Sequence, residues 1–223
     1  DNGPDGKTDL HECHRSSVVA MSNAVPTVLT DLIPMPRIME KSVARDVTLV
    51  VGGALFTALC AQIVIHLGFT PVPITGQTFA VLAVGGALGS RRAIASQALY
   101  WLLGAVGLPF YADATGGWSR ATGATFGYFV GFVVAAGIVG WYADRRDDRN
   151  FVTSLSAMAL STAVIYFFGA LWLAHSIGVP VATGATNAIT LGVAPFLAGD
   201  AVKLVLAALV SPLGWTLYYA KPR

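Results

Sequence analysis

Residues 47–90 read VTLVVGGALFTALCAQIVIHLGFTPVPITGQTFAVLAVGGALGS, and not one of them is Asp, Glu, Lys or Arg. One helix crosses a bilayer with about 20 apolar residues, so a run of this length holds two crossings and an uncharged turn. The turn is GFTPVPITG, residues 68–76, whose prolines and glycines cannot continue a helix. A second charge-free run extends from Asn150 to Gly199 and divides in the same way.

Composition agrees. Hydrophobic residues make up 55% of the 223-residue chain, charged residues only 12%, and mean hydropathy is +0.64. A soluble domain carries about 25% charged residues, so this chain has too few to clothe a water-facing globule. Disorder needs the opposite balance, low hydrophobicity with high charge. Basic patches that would bind nucleic acid are absent. The fold class is an all-α integral membrane protein.

Six apolar segments are legible: about Val47–Leu67, Gln77–Leu88, Ala93–Leu108, Thr125–Ala143, Phe151–Ala174 and Val193–Tyr219. The second is short for a crossing, which tilt or local thinning of the bilayer accommodates. Residues 1–42 read as a flexible polar lead without the pattern of a signal peptide, and Met21 within it can serve as a start. Residues 43–223 then form one six-helix membrane domain.

Counting Lys and Arg in the connections sets the orientation. Arg37, Lys41, Arg45, Arg91, Arg92, Arg145, Arg146, Arg149, Lys221 and Arg223 fall on one side, and Arg120 alone on the other. This asymmetry predicts both termini in the cytoplasm, which an even number of crossings satisfies.

The connections on the other side are unusual. GFTPVPITGQ (68–77), LPFYADATGGWSRATGATFGY (108–128) and HSIGVPVATGATN (175–187) are nearly free of charge yet rich in Gly, Thr, Pro and aromatics. Such loops suit a cap over a small molecule that is part polar and part apolar, or tight packing against helix ends. Asp113 and Arg120 are their only charges and flank Trp118. The guanidinium fork of Arg120 matches a carboxylate, and it equally matches Asp113.

Asp200 and Lys203 stand three apart on one face of the last apolar segment. Each costs about 2.5–3.5 kcal/mol at the centre of an inserted helix, so they face a cavity, or each other as a structural pair. Ala54 and Ala58 lie on one face of the first helix, where small residues let another helix approach. Gly85–Gly89 and Gly127–Gly131 share that spacing and read as internal packing.

Other chemistry is missing. His11, Cys13 and His14 sit in an unpatterned polar tail, and Cys60 lies in an apolar run away from Cys13, so neither a metal site nor a disulfide is expected. His66 and His175 stand singly near the outer ends of helices, where no special role is expected. No paired helical His, nucleophile elbow or phosphate loop occurs. No catalytic residue, metal or cofactor is expected, and any ATP would be used by a partner.

The residues VPITGQTFAVLAVGGALGSRR (72–92), QALYWLLGAVGLPFYADATGG (97–117), TGATFGYFVGF (122–132) and GDAVKLVLAALVSP (199–212) resemble the BioY family. Its members are the biotin-binding substrate-capture (S) components of energy-coupling factor (ECF) transporters. The resemblance implies six transmembrane helices, a vitamin pocket near the outer face and residence in a prokaryotic cytoplasmic membrane. It also implies partners: a transmembrane coupling protein and two ATP-binding subunits. Ala54 and Ala58 fit the family's docking motif for the coupling protein, and Asp200 and Lys203 match the Asp and Lys that line its biotin site. Residues Phe110 to Arg120 resemble the loop after the third helix, although Asp113 and Arg120 stand where members vary.

Biotin's chemistry is compatible with that match. Asp200 would accept from the ureido N–H groups, and Lys203 would donate to the ureido carbonyl or pair with Asp200. Trp118, Phe110 and Tyr111 would cover the apolar body, and Thr75, Gln77 or Arg120 would meet the remaining polar atoms. An S component for thiamin or riboflavin is the alternative within transport, and an intramembrane enzyme the alternative outside it.

Overall fold

A computed structural model describes residues 27–32 and 43–220. His11, Cys13, His14 and Met21 lie outside the described residues. Among the described residues, six helices of a dozen residues or more follow one another: α1 (Val43–Cys60), α2 (Gln77–Leu88), α3 (Ser90–Ala105), α4 (Phe126–Asp144), α5 (Phe151–Ile177) and α6 (Leu197–Tyr219). Between α1 and α2 the strands β1 (Val64–Ile65) and β2 (Ile74–Thr75) pair antiparallel. Short helices at Trp118–Ala121 and Ala188–Gly192 sit in the later connections.

Among the described residues, four stretches are long and apolar enough to cross a membrane: α1, α4, α5 and the run Ala188–Tyr219 that contains α6. The two shorter helices have a different setting. α2 packs on α1, α3, α4 and α6, and four consecutive residues, Ala80, Val81, Leu82 and Ala83, are buried, so every side of the helix is covered. A helix enclosed by neighbours is apolar all round. That explains why its sequence has no polar face.

Several segment ends differ from the sequence reading: α1 begins at Val43 rather than Val47, α3 covers Ser90–Ala105 rather than Ala93–Leu108, and α5 runs on to Ile177 rather than Ala174. The first helix stops at Cys60 rather than Leu67, because Ile63, Val64 and Ile65 are β-branched and leave the helix to form the hairpin. The sixth starts at Leu197 rather than Val193, since Pro195 holds a 3₁₀ turn over Ala194–Phe196. α2 has the predicted bounds.

Glycine fixes the tightest corner. Gly89 joins α2 to α3 with φ 77°, and a Cβ there would strike the Asp144 carboxylate. Asp144 instead accepts the Ser90 amide at 3.1 Å, fastening this corner to the end of α4. The same end of the bundle holds Arg92 against Asp46 at 2.8 Å and Arg45 against Asp31 at 3.5 Å. Residues 27–32, within the polar lead, fold onto it: Val28 is buried, and the Thr30 hydroxyl donates to the Ala87 carbonyl at 3.0 Å.

The glycine stripes pack internally, as read. Gly127 lies against Phe168 and Trp172, Gly131 against Ile165, and Gly85 against Val139. The alanine stripe is also buried within the chain. Ala54 and Ala58 are 0% and 8% exposed and belong to the interior, while α1 turns Val47, Val51, Leu55 and Leu59 outward. Small residues permit close approach by any helix, and here that helix is the chain's own.

Candidate functional site

A cavity of about 170 Å³ opens at the end of the bundle opposite the arginine-rich corner. Its walls come from the α1–α2 hairpin, the α3–α4 connection and helices α2, α4, α5 and α6. Of the residues singled out in the sequence, Thr75, Gln77, Tyr111, Asp113, Arg120, Asp200 and Lys203 line it.

The buried end is built on Asp200, 5% exposed, in the first turn of α6. A helix N-terminus favours a negative charge, and three side chains converge on this one. Lys203 Nζ donates to Oδ1 at 2.7 Å, Thr78 Oγ1 to Oδ1 at 3.0 Å and Tyr166 OH to Oδ2 at 2.6 Å. Lys203 also donates to the Thr75 carbonyl at 2.6 Å. The carboxylate is therefore gripped from α2, α5 and α6, and its cation is tied to β2. Both sequence readings of the pair hold at once: Asp200 and Lys203 bond each other, and both face the cavity.

Thr75 and Gln77 contribute as a coupled unit. The Thr75 hydroxyl donates to Gln77 Oε1 at 3.0 Å and accepts the Gln77 amide at 3.3 Å, while Gln77 Nε2 donates to the Tyr100 phenol at 2.5 Å. Their first task is to fix the start of α2.

Tyr111, Tyr128, Phe129, Phe132 and Phe196 form the apolar walls. Tyr111 lies over Gly104, where any side chain would collide with its ring, and donates to the Trp101 carbonyl at 2.6 Å. Burial pushes its phenol pKa up to about 12, so it stays a donor. Tyr128 donates to the Gly192 carbonyl at 2.6 Å, fixing the approach to α6.

The exposed end carries the charges. His66 Nε2 meets Asp113 Oδ1 at 3.0 Å, so Asp113 pairs with the hairpin and not with Arg120, and His66 does have a partner. Asp113 and Ala114 both have positive φ, 59° and 53°. Gln62 holds this strained tip, donating to the Tyr111 carbonyl at 3.1 Å and accepting the Ala114 amide at 2.9 Å. Among the described residues Arg120 makes no ion pair, which leaves its exposed guanidinium to the cavity.

Two expected residues do not line the cavity. Phe110 stacks on Tyr100, ring centroids 6.5 Å apart, and Trp118 is 65% exposed with its ring edge on Trp101. The short helix Trp118–Ala121 presents Arg120 to the cavity and Trp118 away from it. Thr78, Tyr128, Tyr166 and His66 were not foreseen as cavity residues. The available signals were Thr78, one residue from Gln77, and a tyrosine inside each of two apolar spans.

The BioY family model matches residues 26–220. The chain belongs to the BioY family. Among its relatives, the probable biotin transporter BioY of Pyrococcus horikoshii is 35% identical over 168 residues, covering 75% of this chain and 94% of the relative. The biotin transporter BioY of Thermotoga maritima is 35% identical over 167 residues, 72% of this chain and 92% of that one. The crystal structure of the S-component for biotin from an ECF-type ABC transporter has the same fold as this chain. It superposes with a TM-score of 0.70 at 22% identity, covering 84% of this chain and 96% of that one. The family match begins at residue 26, and so takes in residues 27–32, upstream of the motifs quoted above.

Proposed function

We propose that this chain is the substrate-binding component of a biotin uptake system, capturing biotin in the cavity between the hairpin, Tyr111 and α6. The observation that carries this reading is the cavity's two unlike poles. Asp200 and Lys203 offer a buried acceptor and donor, suited to a neutral polar ring, and Arg120 offers an exposed cation, suited to a carboxylate. Aromatic walls between such groups suit an apolar body. Biotin's ureido ring, sulfur ring with its chain, and carboxylate follow that order. Membership of a family whose relatives are named biotin transporters supports the same ligand.

In this reading all six long helices cross the cytoplasmic membrane of a prokaryote, with both termini and the arginine-rich corner inside. α2, at about 1.5 Å per residue, is too short to span the hydrocarbon unaided. The hairpin on its outer end and the corner at Gly89 complete the passage. The component changes no bond in biotin. Delivery inward uses the ATP-driven ECF module, a coupling protein with two ATP-binding subunits.

Asp200→Asn, which keeps shape and removes charge, tests the assignment by equilibrium binding of biotin to purified protein. The expected result is a loss of at least about tenfold, the scale of one charged hydrogen bond. Undiminished affinity would remove Asp200 from the site.

A further inference from the structure

Resting on the biotin assignment, we propose that Tyr166 and Thr78 limit Asp200 to reading one edge of the ligand ring, a single N–H beside a carbonyl. The argument is a count of bonding capacity. An ionised carboxylate accepts at about four positions, and an ammonium donates three bonds. Oδ1 of Asp200 already accepts from Lys203 and Thr78, and Oδ2 accepts from Tyr166. One acceptor position remains, on Oδ2. Lys203 spends one N–H on Asp200 and one on the Thr75 carbonyl. One donor remains.

What the buried pole offers a ligand is therefore one acceptor beside one donor, both on side chains that line the cavity. Their complement is the N–H–C=O edge of a cyclic amide, urea or imide. A carboxylate free of Tyr166 and Thr78 would have room for two N–H donors, and would turn more easily. With them in place, α2 and α5 hold Asp200 in one orientation. The second ureido N–H is consequently not recognised by Asp200. Tyr166 and Thr78 act as positioning residues that set which ring edge is read.

The experiment is competition against labelled biotin by its two mono-N-methyl ureido isomers, using the full chain purified in detergent. In the unaltered protein one isomer binds nearly as well as biotin and the other at least about tenfold more weakly, the scale of a lost charged hydrogen bond. Tyr166→Phe, which keeps the ring and deletes the hydroxyl, narrows the ratio between the isomers severalfold, whatever its absolute affinity. Thr78→Val narrows it in the same direction and carries the test where Tyr166→Phe lowers thermal stability. Equal loss or equal retention of both isomers by the unaltered protein overturns the proposal. So does a ratio unmoved in both variants. Absence of biotin binding by the unaltered protein overturns the biotin assignment itself, a result distinct from either.

Discussion

Lys203 Nζ donates to the backbone carbonyl of Thr75 at 2.6 Å, joining α6 to the outer hairpin across 128 positions of sequence. The same ammonium neutralises Asp200. Lys203→Met removes both contacts and leaves a buried carboxylate without its cation. Breaking a buried pair in this way costs about 3–5 kcal/mol. The variant is expected to lose biotin affinity by more than tenfold and to exchange the amide hydrogens of the hairpin faster. Unchanged exchange alongside lost binding would confine Lys203 to ligand contact.

Arg120 supplies the only positive charge at the exposed pole whose partner is not already given among the described residues, since His66 is engaged with Asp113. If it receives the ligand carboxylate, the protein prefers biotin over biotin methyl ester by about tenfold, the scale of one charge-assisted bond. Arg120→Gln is expected to weaken biotin binding and leave the ester nearly unaffected. A variant that still prefers the acid as strongly would place the carboxylate elsewhere.

Asp148 stands at the opposite end of the bundle, 3% exposed, near Ser211 and the Trp215 indole yet without a completed hydrogen bond. Burial raises its carboxyl pKa, with these neighbours and Arg149 opposing the rise. The folded state thus holds the proton more tightly than the unfolded state. Stability from this group is present below the ordinary carboxylate range, about pH 4, and falls as pH climbs through the raised folded value. Asp148→Asn should raise the thermal midpoint more at pH 8 than at pH 3, below the ordinary carboxylate range. An equal shift at both pH values would contradict the sign.

Two glycines should respond oppositely to alanine. Gly140 packs against the backbone of Gly89 and Ser90, so a methyl group there forces the α2–α3 corner away. Overpacking of this kind costs about 1–3 kcal/mol, and the thermal midpoint of Gly140→Ala should fall. Gly52, on the outer face of α1, has no atom within 4 Å of an added Cβ. Alanine there gains helix propensity of up to about 1 kcal/mol, so Gly52→Ala should match or exceed the parent. A loss at both positions would mean that the corner is not the cause.

Much of this was legible before any coordinates. Charge-free runs located the helices, because a bilayer excludes charge along its whole thickness. The same scarcity made Asp200 and Lys203 conspicuous. Contacts that depend on rotation about a helix axis were not legible. Ala54 and Ala58 have the same spacing whether their stripe faces a partner or α1's own neighbours, and only packing decides. Trp118 and Arg120, two residues apart, point to different sides of a single turn. Tyr166 looked like one aromatic among many in an apolar span, since its value lies in a hydroxyl that meets Asp200 from another helix.

The central claim, that the cavity of this BioY-family chain is a biotin site, is tested most directly by equilibrium binding of labelled biotin to the purified protein. Excess thiamin, riboflavin and unlabelled biotin serve as competitors. Saturable binding displaced by biotin alone is the predicted result. No saturable binding, or displacement by thiamin or riboflavin, would contradict it.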